Sequence, residues 1–252
     1  MLTIPGTARF VSDLHLTPGN EAVTGRFAAF LAATAQARAD ALFILGDLFE
    51  YWIGDDDLAD SFNARIAGLL RQLADSGTRL FFIAGNRDFL LGDGFARATG
   101  MQRLGDVAKV GVGETAILLM HGDTLCIDDL PYQEFRRQVR SSAWQDAFLA
   151  RPLAERRIEV AALRQRSREA MQAKSAQIMD VNPAAVRTAL ETSGCTQLIH
   201  GHTHRPGCEH LTLSAGVTAE RWVLSDWDAG RGDALEASAT GIRRIDLGDL
   251  SG

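Results

Sequence analysis

The sequence contains few cysteines and no long apolar run. Its three cysteines, Cys126, Cys195 and Cys208, are widely spaced and form no CxxC pair. Because this set supports neither a disulfide framework nor a cysteine zinc site, we expect a reducing compartment. No segment approaches the ~18 consecutive apolar residues of a transmembrane helix. The opening stretch, MLTIPGTARF, has neither the basic nor the apolar region of a signal peptide, so none is predicted.

Charge is unevenly distributed along the 252 residues. The net charge is −6, yet the segment 136–174 carries ten Arg and Lys against four Asp and Glu, a local +6 that leaves −12 for the remainder. A basic block on an acidic protein predicts either a surface for anions, such as phosphates, nucleic acid or an anionic membrane, or a solvated helix face. The hydrophobic content of 46% is enough for a sizeable core.

Short apolar runs recur, and each ends in a polar cluster. The runs are ARFVSDLHL, ALFILGDLF, RLFFIAGNRD, TAILLMHGD and QLIHGHTH. Each is typical of a buried strand that leads into a loop. Helical spacing of apolar residues at 21–39 and 58–75 separates the early runs. Alternating strand and helix predicts an α/β fold, in which reactive residues gather beyond the carboxyl ends of the strands.

The pattern changes after Asp129. From about 130 to 180 the chain is basic, helical in character and free of strand-like runs. We interpret this segment as a helical insertion that caps one domain spanning residues 1–252. The later stretches HLTLSAG, RWVLSDW and ALEASATGIRRIDL predict strands of a second sheet.

The predicted strand ends carry side chains that bind metals. In chain order they are Asp13, His15, Asp47, Asn86, His121, His202 and His204. Each alone is more often part of a turn or a cap. Together they offer nitrogen and oxygen donors without cysteine, which suit Mn²⁺ or Fe²⁺. So many ligands exceed the needs of one ion, whereas two ions that share a carboxylate would use them all, as in two-metal phosphoryl transfer.

Two stretches allow more than one interpretation. LIHGHTHRP places His200, His202 and His204 at alternate positions, so a strand would project all three to one face, and spacing alone does not decide which bind a metal. GDDDLAD looks like a cation site but precedes a helical stretch, so its carboxylates are expected to cap free N–H groups.

The order D-x-H, G-D, G-N, H and G-H-x-H across residues 13–204 resembles the calcineurin-like metallophosphoesterase superfamily. Longer strings, among them GDLFEYWIGDD, GNRDFLLG, HGDTLCIDD, KSAQIMDVN and HGHTHRP, are similar to the UDP-2,3-diacylglucosamine pyrophosphohydrolase family of lipid A biosynthesis. The resemblance covers nearly the whole chain, the insertion included. It implies an α/β fold in which a two-sheet sandwich is flanked by helices.

The resemblance also implies the roles of individual residues. One Mn²⁺ ion would be held by Asp13, His15, Asp47 and His204, and a second by Asp47, Asn86, His121 and His202. Asp47 would bridge the two ions, and His200 would have only a supporting role. The implied catalytic residues are Asn86 and Arg87. The implied substrate contacts are Asn86, Arg87, Asp129, Ser167, Lys174 and His202, together with Met171, which stands where some members have Asn and could pack against an acyl chain.

The implied reaction is manganese-dependent hydrolysis of UDP-2,3-diacylglucosamine to UMP and 2,3-diacylglucosamine 1-phosphate. Arg87 and Lys174 would neutralise charge on the diphosphate. The lipid substrate implies peripheral contact with the anionic cytoplasmic face of the inner membrane through the basic insertion. We expect a monomer without a nucleic-acid partner.

Arg87 indicates which class of leaving group the substrate has. Many related phosphoesterases have G-N-H where this chain has G-N-R, and that His protonates an alkoxide leaving group. Arg keeps its proton at any working pH, so G-N-R favours a phosphate leaving group, which departs as a stable anion. Two alternatives stay open: a nucleotide phosphodiesterase or nuclease with the same metal ligands, and a non-catalytic scaffold, which the intact set of seven ligands disfavours.

Overall fold

The computed structural model describes residues 1–173, 180–214 and 216–246, except the side chains of 167–173 and 246. Within these ranges, twelve strands form two six-stranded mixed sheets. The first sheet has the order β12 (Gly241–Asp246), β11 (Asp233–Ser238), β2 (Ala8–Val11), β3 (Ala41–Ile44), β4 (Arg79–Phe82), β5 (Gln102–Arg103). The second has the order β1 (Leu2–Ile4), β6 (Val107–Val112), β7 (Thr115–Met120), β8 (Gln197–His200), β10 (Thr218–Val223), β9 (Gly207–Thr212).

Helices cover the outer faces of both sheets. In the described ranges they are α1 (Glu21–Gln36), α2 (Ser61–Asp75), α3 (Asp93–Thr99), α4 (Leu130–Val139), α5 (Ser142–Leu149), α6 (Leu153–Ala173) and α7 (Pro183–Ser193). None of the described helices is both long enough and apolar enough to cross a bilayer. The predicted α/β sandwich of two sheets flanked by helices is therefore confirmed.

The two sheets face each other across an aromatic and aliphatic core. Phe43 stacks between Phe10 and Phe81, with ring centroids 5.2 and 4.7 Å away. These rings, from three neighbouring parallel strands, pack against Ile117 and Ile199 of the opposite sheet. Aligned packing of this kind holds the carboxyl ends of β2, β3, β4, β7 and β8 in fixed relative positions.

The carboxyl-terminal strands are divided between the sheets. Strands β9 and β10 pair antiparallel and extend the second sheet beside β8, as predicted. The prediction that 234–246 also joins the second sheet is wrong, because β11 pairs antiparallel with β2 of the first sheet. Strand β6 was missed as well, since the Lys and Gly in VAKVGV interrupt its apolar run.

The described part of the insertion is helical, and the chain leaves and returns between adjacent strands. Helices α4 to α7 lie between β7 and β8, which are parallel neighbours with Ile117 opposite Gln197. Arg156 on α6 is 1% exposed, donates to the Ile53 carbonyl and pairs with Asp56. The insertion is thus fastened to the body by buried polar contacts.

Most arginines described in the insertion pair with carboxylates of the protein. The pairs are Arg136 with Asp106 and Asp123, Arg137 with Glu134, Arg140 with Asp106, Arg151 with Glu159, Arg156 with Asp56, Arg157 with Asp57, and Arg164 with Glu50. Seven of the ten cations of the segment 136–174 are therefore paired within the described part of the molecule. The basic composition no longer argues for an anion-binding surface.

The acidic run 55–60 is divided between two roles. Asp60 caps α2 through the Phe62 N–H, and Asp55 accepts from Gly92, Gly94 and Phe95 at the start of α3. The expectation of capping is correct for these two residues. Asp56 and Asp57 instead receive arginines of α6, a partnership across 100 positions that local sequence does not reveal.

Candidate metal centre

Five loops at one edge of the sandwich bring the seven predicted ligands together. They follow the carboxyl ends of β2, β3, β4, β7 and β8. The loops after β2 and β3 are joined by backbone hydrogen bonds, from Asp13 N–H to Gly46 O at 3.1 Å and from His15 N–H to Asp47 O at 3.0 Å. The sheet edge therefore fixes the main chain from which the ligands project.

The backbone at these residues is unusual. Five of the six non-glycine residues with positive φ in the described part of the chain belong to the predicted set: Asp13 (54°), His15 (48°), Asp47 (54°), His202 (69°) and His204 (54°). A left-handed conformation costs an L-residue roughly 1–2 kcal/mol. Such strain clusters at functional sites, where the surrounding structure enforces it. The backbone thus marks the same residues that the sequence pattern selected.

One group of side chains is centred on Asp13. His204 Nε2 lies 3.5 Å from Asp13 Oδ1 and 3.3 Å from His15 Nε2. One donor atom from each of these three residues lies within 4.8 Å of the others. Asp47 Oδ2 lies 3.9 Å from His15 Nδ1. This is the predicted four-residue set for the first ion.

The second group shares Asp47. Its Oδ1 lies 3.8 Å from His121 Nε2, and Asn86 Oδ1 is 2.9 Å from both His121 Nε2 and His202 Nδ1. The His121 Nδ1–H donates to the Leu45 carbonyl at 2.8 Å, which leaves Nε2 free to bind a cation. Asp47 thus faces both groups, one oxygen toward each.

The chemistry of these residues fits divalent cations. Asp13 Oδ1 is buried without a hydrogen-bond partner, an arrangement that a polar interior otherwise avoids. Burial, reinforced by the Arg87 guanidinium, lowers the pKa of His15 to about 3. Burial and the neighbouring His121 lower the pKa of His202 to about 4. Both imidazoles are therefore neutral at physiological pH, as metal ligands must be.

The buried carboxylates respond differently to the same surroundings. Burial and the nearby Asp13 raise the pKa of Asp47. Burial alone would raise the pKa of Asp13 too, but the neighbouring His204 and His121 lower it overall. Asp47 is the carboxylate whose ionised form most needs added positive charge, which suits a position between two cations.

Glycines allow the loops to approach closely. A Cβ on Gly85 would overlap Asp47 Oδ1 and the Asp47 backbone nitrogen. A Cβ on Gly46 would lie 2.6 Å from His121 Nδ1, and one on Gly201 would overlap Asp13 Oδ2. Replacing any of the three would push a candidate ligand out of place.

Two further carboxylates, to which the sequence assigned no role, support the site. Asp88 is fully buried and accepts from the N–H groups of Leu48 at 2.7 Å and Gly85 at 2.9 Å, so it ties two ligand loops together. Burial and the nearby Asp47 raise the pKa of Asp88 to about 7. Glu50 lies 3.5 Å from His15 Nδ1. The only sequence feature that could have identified Asp88 and Glu50 as supporting residues was their position next to candidate ligands in GNRD and GDLFE.

Arg87 lies at the rim of the centre. Its backbone N–H donates to Asp47 Oδ1 at 3.0 Å, its Nε is 3.4 Å from Asp47 Oδ2, and its Nη1 is 3.0 Å from Glu50 Oε1. The guanidinium is thus held beside the predicted bridging carboxylate. This is where a charge-neutralising group would meet a phosphate bound to the centre.

The predicted substrate contacts outside the metal centre are only partly described. Asp129 is the N-cap of α4 and accepts from the Tyr132 N–H. Ser167 and Met171 lie on α6, but their side chains are outside the described part of the chain. Lys174 lies wholly outside it. The structure therefore does not place the last three contacts relative to the centre.

His200 is engaged elsewhere. It is fully buried, its Nδ1–H donates to the Gly201 carbonyl at 2.8 Å, and Arg221 Nη1 lies 3.3 Å from its Nε2. Burial and that guanidinium lower its pKa to about 3. Both ring nitrogens are directed to groups outside the seven, in keeping with a supporting role.

Comparison with known proteins points the same way. Residues 8–206 match the calcineurin-like phosphoesterase family. The chain is 50% identical over 221 residues to a UDP-2,3-diacylglucosamine hydrolase of Aromatoleum aromaticum, with 88% of this chain and 89% of that protein covered. It is 45% identical over 236 residues to a protein of the same name from Escherichia coli, with 94% and 97% covered.

A solved structure shares the fold at low sequence identity. Vacuolar protein sorting 29 from Cryptosporidium parvum superposes with a TM-score of 0.50 at 11% identity, covering 96% of this chain and 91% of that one. At this identity the likeness concerns the arrangement of strands and helices alone.

Proposed function

Because the chain belongs to the calcineurin-like phosphoesterase family, we propose that it hydrolyses the diphosphate bond of UDP-2,3-diacylglucosamine with two manganese ions. The products would be UMP and 2,3-diacylglucosamine 1-phosphate. The observation that carries the proposal is the cluster of seven ligand side chains from five loops, three of them buried and four partly buried, with an arginine in place of histidine after Asn86.

Asp13, His15, Asp47 and His204 would hold one ion, and Asp47, Asn86, His121 and His202 the other. When bound, two such ions neutralise charge on the phosphoryl group and supply an activated water. The protein's own part is to keep the imidazoles of His15 and His202 neutral and the carboxylates of Asp13 and Asp47 buried. Both are properties of the site described above.

Arg87 would neutralise charge that develops on the departing phosphate. Its guanidinium is anchored by Glu50 and Asp47 beside the centre. A guanidinium does not release its proton at working pH, so this residue cannot serve as the acid that an alkoxide leaving group needs. A phosphate monoester leaves as a stable anion and requires only neutralisation. The site is therefore matched to a diphosphate rather than to a simple alkyl ester.

Peripheral membrane contact is part of the proposal, and exposed apolar side chains support it better than charge does. Ile158 on α6 is 72% exposed and Leu130 on α4 is 71% exposed. Phe135 and Leu149, also on the insertion, are more than one-third exposed. Because the neighbouring arginines are internally paired, these apolar groups are the stronger candidates for contact with a lipid surface at the cytoplasmic face of the inner membrane.

The decisive experiment measures substrate choice. UMP release from UDP-2,3-diacylglucosamine in mixed micelles would be compared with turnover of a deacylated UDP-sugar, bis-p-nitrophenyl phosphate and single-stranded DNA, each with Mn²⁺ or Mg²⁺. We expect manganese-dependent UMP release from the lipid nucleotide at a rate far above the others. Preferred turnover of a soluble diester or of DNA would favour a phosphodiesterase or nuclease, and failure to bind manganese would favour a scaffold.

A further inference from the structure

Glu50 contacts three groups that belong to different parts of the molecule. Its Oε2 lies 3.5 Å from His15 Nδ1, its Oε1 lies 3.0 Å from Arg87 Nη1, and Oε1 also pairs with Arg164 Nη2. His15 is a candidate metal ligand, Arg87 follows β4, and Arg164 is on helix α6 of the insertion. The Glu50 side chain is only 17% exposed.

The backbone places Glu50 beside His15. Leu16 donates its N–H to Leu48 O at 2.9 Å, and Glu50 donates its N–H to Leu16 O at 3.0 Å. These bonds continue the pairing of β2 and β3 past the ends of the strands. The position of the carboxylate is therefore set by main-chain contacts and does not depend on the insertion.

The tautomer of His15 depends on what faces each nitrogen. Its Nε2 faces His204 Nε2 at 3.3 Å, inside the cluster of ligand atoms, and its Nδ1 faces Glu50. A histidine that binds a metal usually directs its other N–H to a carboxylate or a carbonyl, which orients the ring and increases its basicity. Glu50 Oε2 lies 3.5 Å from Nδ1, without a hydrogen bond between them in this structure, and is closer to this nitrogen than Asp47 Oδ2 at 3.9 Å. Glu50 is therefore the carboxylate positioned to orient the ring.

The third contact reaches the insertion. Besides pairing with Glu50, Arg164 places its guanidinium carbon 5.5 Å from the centre of the Tyr51 ring. The cation is thus held by a carboxylate and an aromatic ring that are adjacent in sequence. Through this contact, α6 is fastened directly to the residues that surround the reaction centre.

We propose that Glu50 is a positioning residue that couples the helical insertion to the metal centre, since one carboxylate orients His15, anchors Arg87 and latches α6 through Arg164. This inference rests on the proposed function only for the metal that His15 would bind. The latch itself is a property of the protein without metal. Loss of the carboxylate should therefore affect the centre and the insertion together, whereas loss of Arg164 should affect the insertion alone.

The test compares three variants of the full chain. Glu50→Gln removes the charge and keeps the shape, and Arg164→Gln breaks the latch without altering the buried carboxylate. Asp57→Asn is the matched control, because Asp57 pairs with Arg157 of the same helix but contacts none of the seven ligands. Circular dichroism would establish that each variant is folded. Hydrogen exchange of amides 155–166 in metal-free protein would report on α6, and calorimetry would report manganese affinity.

We expect exchange in α6 to be at least about 10-fold faster in Glu50→Gln and Arg164→Gln than in the wild type or Asp57→Asn. Manganese affinity at one site should fall by roughly 10- to 100-fold in Glu50→Gln, the usual cost of losing a group that orients a ligand. It should remain at the wild-type value in Arg164→Gln, and Glu50→Asp should restore part of it.

Unchanged exchange in both latch variants, or equal loosening in Asp57→Asn, would overturn the latch. Unchanged manganese affinity in Glu50→Gln would overturn the positioning of His15. Wild-type protein that binds no manganese would count against the proposed function instead, while the exchange measurement would still decide the latch.

Discussion

His202 donates its backbone N–H to Asp13 Oδ2 at 2.9 Å, across 189 positions of the sequence. The same carboxylate oxygen accepts from the Ser12 hydroxyl at 2.6 Å. With Oδ2 satisfied in this way, Oδ1 is left facing His204 without a hydrogen-bond partner. The loops after the first and last of the five site strands are therefore locked together, and one oxygen of Asp13 remains available for a cation.

The histidine cluster gives a first prediction. His202→Ala and His204→Ala should each remove a ligand from a different ion and reduce turnover by at least roughly 100-fold, more than loss of an outer partner costs. His200→Ala should retain both metals but lose about 1–3 kcal/mol of unfolding free energy, because it leaves a cavity beside Arg221. Metal content, turnover and urea unfolding of the three proteins check this. Metal loss in His200→Ala comparable to that in His204→Ala would contradict the assignment.

Gly85 gives a second prediction. In Gly85→Ala the new methyl group would overlap Asp47, so the shared carboxylate must move and affinity for both ions should fall. Gly68→Ala is the matched control, since this exposed glycine lies within α2 with open space around its Cβ position. The control should gain about 0.5–1 kcal/mol in unfolding free energy. Manganese stoichiometry by calorimetry distinguishes the two, and full occupancy in Gly85→Ala would refute the role given to this close approach.

Arg87 gives a third prediction, which concerns the leaving group. Arg87→Ala should reduce hydrolysis of the lipid diphosphate by roughly 10²–10³-fold, the usual effect of removing one transition-state donor. Manganese binding should persist, because the candidate ligand atoms remain. Arg87→His should not restore the diphosphate reaction. Steady-state kinetics on the lipid nucleotide and on an alkyl phosphate ester test this, and comparable wild-type rates on the two substrates would refute it.

The electrostatics of the candidate ligands predict a pH dependence of metal binding. Burial raises the pKa of Asp47, and nearby carboxylates outweigh burial to raise the pKa values of His121 and His204. A group with a raised pKa holds its proton to higher pH, and a cation must displace that proton. Manganese affinity should therefore fall as the pH is lowered through these raised pKa values, and binding should release protons.

Calorimetry in two buffers with different ionisation enthalpies would measure the proton release. The same binding should stabilise the fold by about 2.7 kcal/mol when free manganese is 100 times its Kd. Thermal unfolding with manganese and with EDTA checks this second expectation. Proton uptake on manganese binding would contradict the predicted proton release.

Membrane contact gives a fifth prediction. Ile158→Glu should weaken binding to sucrose-loaded anionic vesicles by about 10-fold, since roughly 1.5–3 kcal/mol accompanies full burial of such a side chain. Val107→Glu, at an exposed position on β6, is the control and should bind as the wild type does. Binding should depend only weakly on salt because the described arginines of the insertion are largely paired. Equal binding of both variants would exclude this face of the insertion.

The sequence alone was sufficient to nominate the seven candidate ligands that the structure brings together. Each candidate ligand follows a short apolar run. Such a run predicts a buried strand, and the polar residues after it predict where the strand ends, so both features can be recognised from adjacent positions of the sequence. Helical spacing in the described part of the insertion, residues 130–173, could be recognised for the same reason. The family resemblance, and not spacing alone, then selected seven residues, all of which the structure brings to one edge.

Tertiary structure decided the features that depend on partners far apart in sequence. Arg156 and Arg157 meet Asp56 and Asp57 across 100 positions, so a segment that is basic in composition contributes little free charge. Strand β11 pairs with the edge of β2 that β3 does not occupy, and the residues of β11 do not by themselves predict which sheet it joins. Glu50 gained its importance in the same way. Its local sequence places it three residues after Asp47, but only packing brings His15, Arg87 and Arg164 to its two oxygens, because ion pairing depends on distance in space and not on distance along the chain.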